Sequence, residues 1–94
     1  MQGSKKDIVN APNDKLFWVH EGPALKNLVD LRDLLRSLRD ETFKFHVNEL
    51  KNDFSNWISD VLKEADLAKK LKGIKSKRYT YNAINDYLNS HFGM

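Results

Sequence analysis

His46, Glu49 and Asp53 are spaced i, i+3 and i+7 within the run His46-Val47-Asn48-Glu49-Leu50-Lys51-Asn52-Asp53, so on one unbroken helix all three would share a side. An imidazole flanked by two carboxylates can ligate a metal ion, or pair a general base with the acid that orients it. The same letters also build a joint. Asn52 tolerates the left-handed backbone that ends a helix, and Asp53 is a good N-cap for the next one. His46 lies on the apolar stripe of Phe43, Val47 and Leu50 at i, i+3, i+4 and i+7, where a hydrogen-bonded core histidine is commoner than a ligand. The joint accounts for more of these residues than a site does. His46, Asn48, Glu49, Asn52, Asp53 and Trp57 are therefore assigned to a structural corner, and no metal or cofactor is expected.

Little else in the chain carries catalytic chemistry. No serine sits in a Gly-x-Ser-x-Gly elbow, no glycine-rich phosphate loop occurs, and the histidines are scattered at 20, 46 and 91. With no cysteine, thiolate nucleophiles, disulfides and cysteine zinc sites are excluded. A chain of 94 residues makes one domain, too small to bury the share of surface that a deep catalytic cleft requires. No enzyme activity is expected. Hydrophobic residues at 40% and charged residues at 31% match a globular protein, and no apolar run approaches the length of a membrane span. A cytoplasmic address without membrane contact is the default expectation.

Charge is distributed unevenly. Residues 1–61 hold 9 basic against 10 acidic side chains, net −1, whereas residues 62–94 hold 7 against 3, net +4. Lys69, Lys70, Lys72, Lys75, Lys77 and Arg78 cluster around Gly73, and Tyr79 and Tyr81 follow directly. Cations beside aromatic rings suit phosphates and stacked bases, which makes nucleic-acid binding the alternative function. A helix-turn-helix fits loosely: the link from Leu71 to Thr80 is long, and Asn82, Asn85 and Asn89 bring little charge to the second helix. Lysines in the last turn of a helix also complement its dipole with no partner at all.

These groups must be positioned by short elements. Residues 1–14 mix Gly, Ser, Asn, Pro and charge and read as a flexible leader to a single domain over 15–94. Leu16 to His20 is rich in β-favouring residues, and Glu21-Gly22-Pro23 forces a turn before a second extended piece at 24–26. Asn27 caps a first helix with Leu28, Leu31, Leu34, Leu35 and Leu38 on one face; Asp40 caps a second through Leu50; Asp53 caps a third with Phe54, Trp57, Ile58, Val61 and Leu62 inward. A fourth runs through Leu67, Ala68 and Leu71 to a left-handed Gly73. Ser76 or Thr80 opens the last, burying Ala83, Ile84, Tyr87 and Leu88. The expected fold is mainly α, a compact bundle of about five short helices with a short N-terminal strand or minimal β-hairpin.

The strand is the best interface candidate. Leu16, Phe17, Trp18 and Val19 offer apolar area on both faces, and alternation sets Phe17 and Val19 against Leu16, Trp18 and His20. If one set packs inward, the other remains for a protein partner or a second copy, so a protein-interaction or scaffolding module is the preferred function.

The string His46-Val47-Asn48-Glu49, followed by Asn52-Asp53-Phe54, Trp57, Asp60-Val61 and Leu67-Ala68, resembles a family of small prokaryotic domains, frequent in archaea, catalogued as of unknown function. Phe17-x-x-x-Glu21-Gly22 and Leu25-x-Asn27-Leu28 resemble that family's opening segment, and the likeness spans about residues 16–90. The chain departs from the pattern at Lys63-Glu64, where a Gly-Asp turn is expected. The resemblance implies a fold and a lineage, and no activity.

Overall fold

The computed structural model describes residues 7–93. A 3₁₀ turn at Asn13–Lys15 leads into strand β1 (Phe17–Trp18) and strand β2 (Ala24–Leu25), then helices α1 (Leu28–Leu35), α2 (Asp40–His46), α3 (Asp53–Asp60), α4 (Ala65–Lys72) and α5 (Lys77–Phe92). The strands pair antiparallel, Phe17 opposite Leu25 and Trp18 opposite Ala24. Five helices and a minimal hairpin are thus the architecture of the described residues, as the hydrophobic spacing predicts.

The core is one continuous cluster. Leu31, Phe54, Ile58, Leu71, Ile84 and Leu88 are fully buried within it, each contributing about 1.5–3 kcal/mol of transfer free energy. α3 and α4 pack closely on each other, and a small residue marks the contact: the Ser55 hydroxyl donates to the Ala68 carbonyl at 2.6 Å. α5 packs across α1 and α4. Helix α1 begins as expected, the Asn27 side chain accepting from the Asp30 amide at 2.9 Å.

Several boundaries differ from the sequence expectation, each for a local reason. Of the expected leader, residues 1–6 lie outside the described residues, but Asn10 and Ala11 are tied to the domain. The Asn10 side chain accepts from Asn27 at 2.8 Å, and the buried Ala11 donates its amide to the Lys26 carbonyl at 2.7 Å. α1 stops at Leu35, so Leu38 is buried from the following link rather than from the helix. Arg39, not Asp40, occupies the N-cap of α2. α2 ends at His46 instead of running to Leu50. The Asn48 amide group donates to the Lys44 carbonyl at 3.1 Å while its oxygen accepts from the Leu50 amide at 2.9 Å, and Val47 pairs in extended form with Asn52. Asparagine side chains offer the backbone such local alternatives to a helix. Leu50 consequently stands at the tip of a tight loop, 95% exposed, and not on an apolar stripe.

Asn52, rather than Asp53, caps α3, accepting from the Ser55 amide at 3.0 Å, and its own backbone is extended at φ −137°, not left-handed. Gly73 likewise has φ −89°, and the left-handed helix terminus is Gly93 at the end of α5, with φ 73°. Ser76, not Thr80, caps α5, so the α4–α5 link is only residues 73–76. The long link held against a helix-turn-helix is therefore absent. Tyr87 is half-buried, while Ala83, Ile84 and Leu88 are fully inward. Lys63 adopts φ 62°, the left-handed conformation that glycine favours, so the turn between α3 and α4 keeps its sharpness at a cost in backbone strain of about 1 kcal/mol.

Candidate interaction surface

The hairpin register decides which groups of β1 face outward. The Val19 amide donates to the Pro23 carbonyl at 3.0 Å, which makes Val19 and Pro23 a hydrogen-bonded pair. Such pairs alternate along an antiparallel ladder. Phe17 with Leu25 is then the next bonded pair, and the backbone N–H and C=O of Trp18 point away from β2. The side chains alternate as well: Phe17 and Val19 are buried, Trp18 is 71% exposed and His20 is exposed, with Leu16 half-buried between the two sets. The far edge of β2 is occupied by the Ala11 amide on Lys26, whereas among the described residues the outer edge of β1 is engaged only past Trp18, at His20.

Beyond that edge sits His46, 4% exposed. Its Nε2 accepts from the His20 backbone N–H at 3.0 Å, and its Nδ1 lies 3.0 Å from the Asp53 carboxylate. An acceptor at Nε2 requires the proton at Nδ1, so the ring is a neutral imidazole donating to Asp53. Both nitrogens are used. The ring packs edge-on to Phe17 at 5.0 Å and against Phe54 at 5.4 Å. A base or a metal ligand needs a free lone pair, and this histidine has none to offer. Asp53 also receives the Lys51 ammonium at 3.0 Å. Among the described residues no group of three or more His, Cys, Asp or Glu is placed to hold a metal ion.

The corner residues do not converge on one point. Asn48, Glu49 and Asn52 line a groove of about 330 Å³ whose other wall carries Lys72 and Lys75, while His46 and Asp53 lie outside it. Asn52 reaches across to donate to the Leu71 carbonyl at 3.0 Å, locking the loop onto α4. Trp57, mostly buried, donates its indole N–H to the Lys15 carbonyl at 2.9 Å and packs on Phe17 at 5.6 Å, which anchors the start of β1.

With its backbone held by His46, the end of β1 presents an aromatic stripe. The His20 ring stacks on Phe45 at 4.0 Å with the planes 12° apart, and the Lys51 ammonium lies 4.8 Å over the other partner's ring, that of Phe45. Leu50 follows at the loop tip. His20 and Phe45 thus join the hairpin turn to α2, with Lys51 beside them and the exposed Leu50 next to it in the loop, while Trp18 lies two residues before His20 on the outward face of β1. Phe45 and Leu50 were not legible as surface residues. Phe45 carries a faint signal, an aromatic off the stripe of its own helix; Leu50 carries none, because its exposure depends on where α2 ends.

The basic segment is divided by the fold. Lys77 is committed, donating to the Leu38 carbonyl at 2.5 Å and pairing with Asp40 at 3.2 Å. Arg78 and the half-buried Tyr81 turn toward Leu35 and Arg36, while Lys70, Lys72, Lys75 and the exposed Tyr79 lie on the other side of the α4–α5 link. Lys69 is exposed and lines none of these grooves. One further polar pair is internal: the Tyr87 hydroxyl donates to the buried Glu64 at 2.6 Å. Burial first, then the bond to Glu64 and the charges of Glu64 and Asp66, hold that phenol well above its ordinary ionisation range.

No helix among the described residues is long and apolar enough to cross a membrane. No curated protein and no solved structure matches the chain. A family of unknown function, DUF5752, matches residues 16–88, from the first residue of the hairpin segment to the last buried leucine of α5. By that match over most of its length, the chain belongs to the DUF5752 family.

Proposed function

We propose that the protein is a non-enzymatic interaction or scaffolding module of the cytoplasm, and that its contact surface is the stripe of Trp18, His20, Phe45 and Leu50. The observation that carries this reading is Trp18, 71% exposed on a two-residue strand whose opposite face is buried. A tryptophan left in water on a rigid backbone gains most when a partner covers it, and such residues dominate binding energies at interfaces. Rigidity comes from the corner: the His46 and Trp57 bonds hold both ends of β1, so little ordering entropy is left to oppose association. The outward N–H and C=O of Trp18 add two hydrogen-bonding groups for an incoming chain.

Sedimentation velocity over a concentration series tests the reading. Native protein is expected to form a larger species, by itself or with a protein cross-linked to it in cell extract, that Trp18→Asp and Leu50→Asp each abolish while leaving the helical circular dichroism unchanged. A native protein that stays monomeric and yields the same cross-links as both variants would overturn it.

A further inference from the structure

The groove beside the corner and a second one of about 490 Å³ share Ile74 and Lys75, so the two adjoin along the α4–α5 link and are taken together as one furrow. We infer that this furrow binds single-stranded nucleic acid, with Lys70, Lys72 and Lys75 on the phosphates, Tyr79 stacked on a base, and Asn56 and Asn82 at base edges. The inference concerns the α4–α5 side of the corner loop rather than the hairpin; only Leu50 of the stripe, at the loop tip, borders both surfaces.

Three observations support it. First, Lys70, Lys72 and Lys75 are exposed and none has an ion pair among the described residues, whereas Lys51 and Lys77 do. Three uncommitted ammonium groups along one furrow are suited to a chain of phosphates. Second, Tyr79 is 62% exposed in the same furrow, held there by its amide bond to the Ser76 hydroxyl at the start of α5. An exposed ring beside cations is a platform on which a base can stack. Third, Asn56 and Asn82 are exposed furrow residues whose amides are committed to no bond among the described residues, unlike Asn48 and Asn52. A duplex fits less well. On α5 the exposed face continues from Asn82 to Asp86, which lines the furrow and repels a second phosphate backbone, while Asn85 is turned inward to accept from Arg32 at 3.3 Å.

Fluorescence anisotropy of a labelled thymidine oligonucleotide of about 12 nucleotides, a typical single-strand site length, measures the binding across salt. Three phosphate contacts give a log–log slope of about −2, so a fourfold rise in salt weakens affinity about 20-fold. The triple variant Lys70→Gln, Lys72→Gln, Lys75→Gln is expected to flatten that slope. Tyr79→Ala is expected to weaken binding at least about fivefold with the slope unchanged. Arg36→Gln and Lys44→Gln, both away from the furrow, leave affinity as it is. Undetectable binding at low salt, an unaltered slope in the triple variant, an unaffected Tyr79→Ala protein, or equal competition by duplex or by polyglutamate would each overturn the assignment.

Discussion

Replacing His46 with phenylalanine keeps a ring of similar size against Phe17, Phe45 and Phe54 but deletes both of its hydrogen bonds. The losses are unequal. The His20 amide sits at the surface and can turn to water, which limits its cost to about 1 kcal/mol; Asp53 is partly exposed and keeps Lys51, so its loss is smaller still. The sum for His46→Phe is about 1–2 kcal/mol. His46→Ala also empties a buried volume and is expected to cost about 3 kcal/mol. Against a total stability of roughly 5–14 kcal/mol for a chain of this size, the first shifts the melting midpoint by about 5–15 °C and the second by more. Urea unfolding followed by circular dichroism measures both, and the order native, His46→Phe, His46→Ala is the expected result. A phenylalanine variant as stable as the native protein would show that the polar tie between β1 and the corner contributes nothing. Zinc retained by native protein after dialysis and lost in His46→Ala would refute the assignment of this histidine to structure.

Other substitutions test the remaining features. Lys63→Gly removes a left-handed side-chain residue and is expected to stabilise the protein by about 0.5–1 kcal/mol, read as a higher urea midpoint. Thr80 is fully buried and its hydroxyl finds no hydrogen-bond partner among the described residues, so Thr80→Val, of the same shape, is expected to raise stability by about 1 kcal/mol. The raised ionisation of Tyr87 makes a prediction in alkali. The unfolded phenol loses its proton near pH 10 while the folded one retains it, so stability falls as pH rises above that value. Urea midpoints measured across that range should decline in native protein and decline less in Tyr87→Phe.

How much of this could be read in advance depended on the range of the interactions. Asn27 was identifiable as a cap, and Ser76 as one of two candidates beside Thr80, because a cap is a contact between residues three apart. The third helix was identifiable because its apolar residues recur along one stripe. Asp40 and Asp53 misled for the same local reason: an acidic residue suits the first turn as well as the cap, and the residue just before each took the cap position. Asn52 was chosen over Asp53 because its amide can also reach the Leu71 carbonyl on α4, nineteen residues away.

Sequence alone determined the helical class, the hairpin, the family and the absence of any cysteine chemistry, since these follow from periodicity, turn residues and composition. Tertiary structure decided what each polar and aromatic side chain faces. His46 became an internal fastener only because β1 delivers the His20 amide to its second nitrogen. Leu50 reaches the surface only because α2 ends at His46 and Val47 pairs with Asn52. Of the six cations of one segment, Lys70, Lys72 and Lys75 line a furrow, Lys77 is tied to Leu38 and Asp40, and Arg78 turns toward Arg36, a division set by the start of α5 at Lys77. Contacts between distant segments depend on where every helix ends, and those ends are settled by competition among bonds that local patterns do not record.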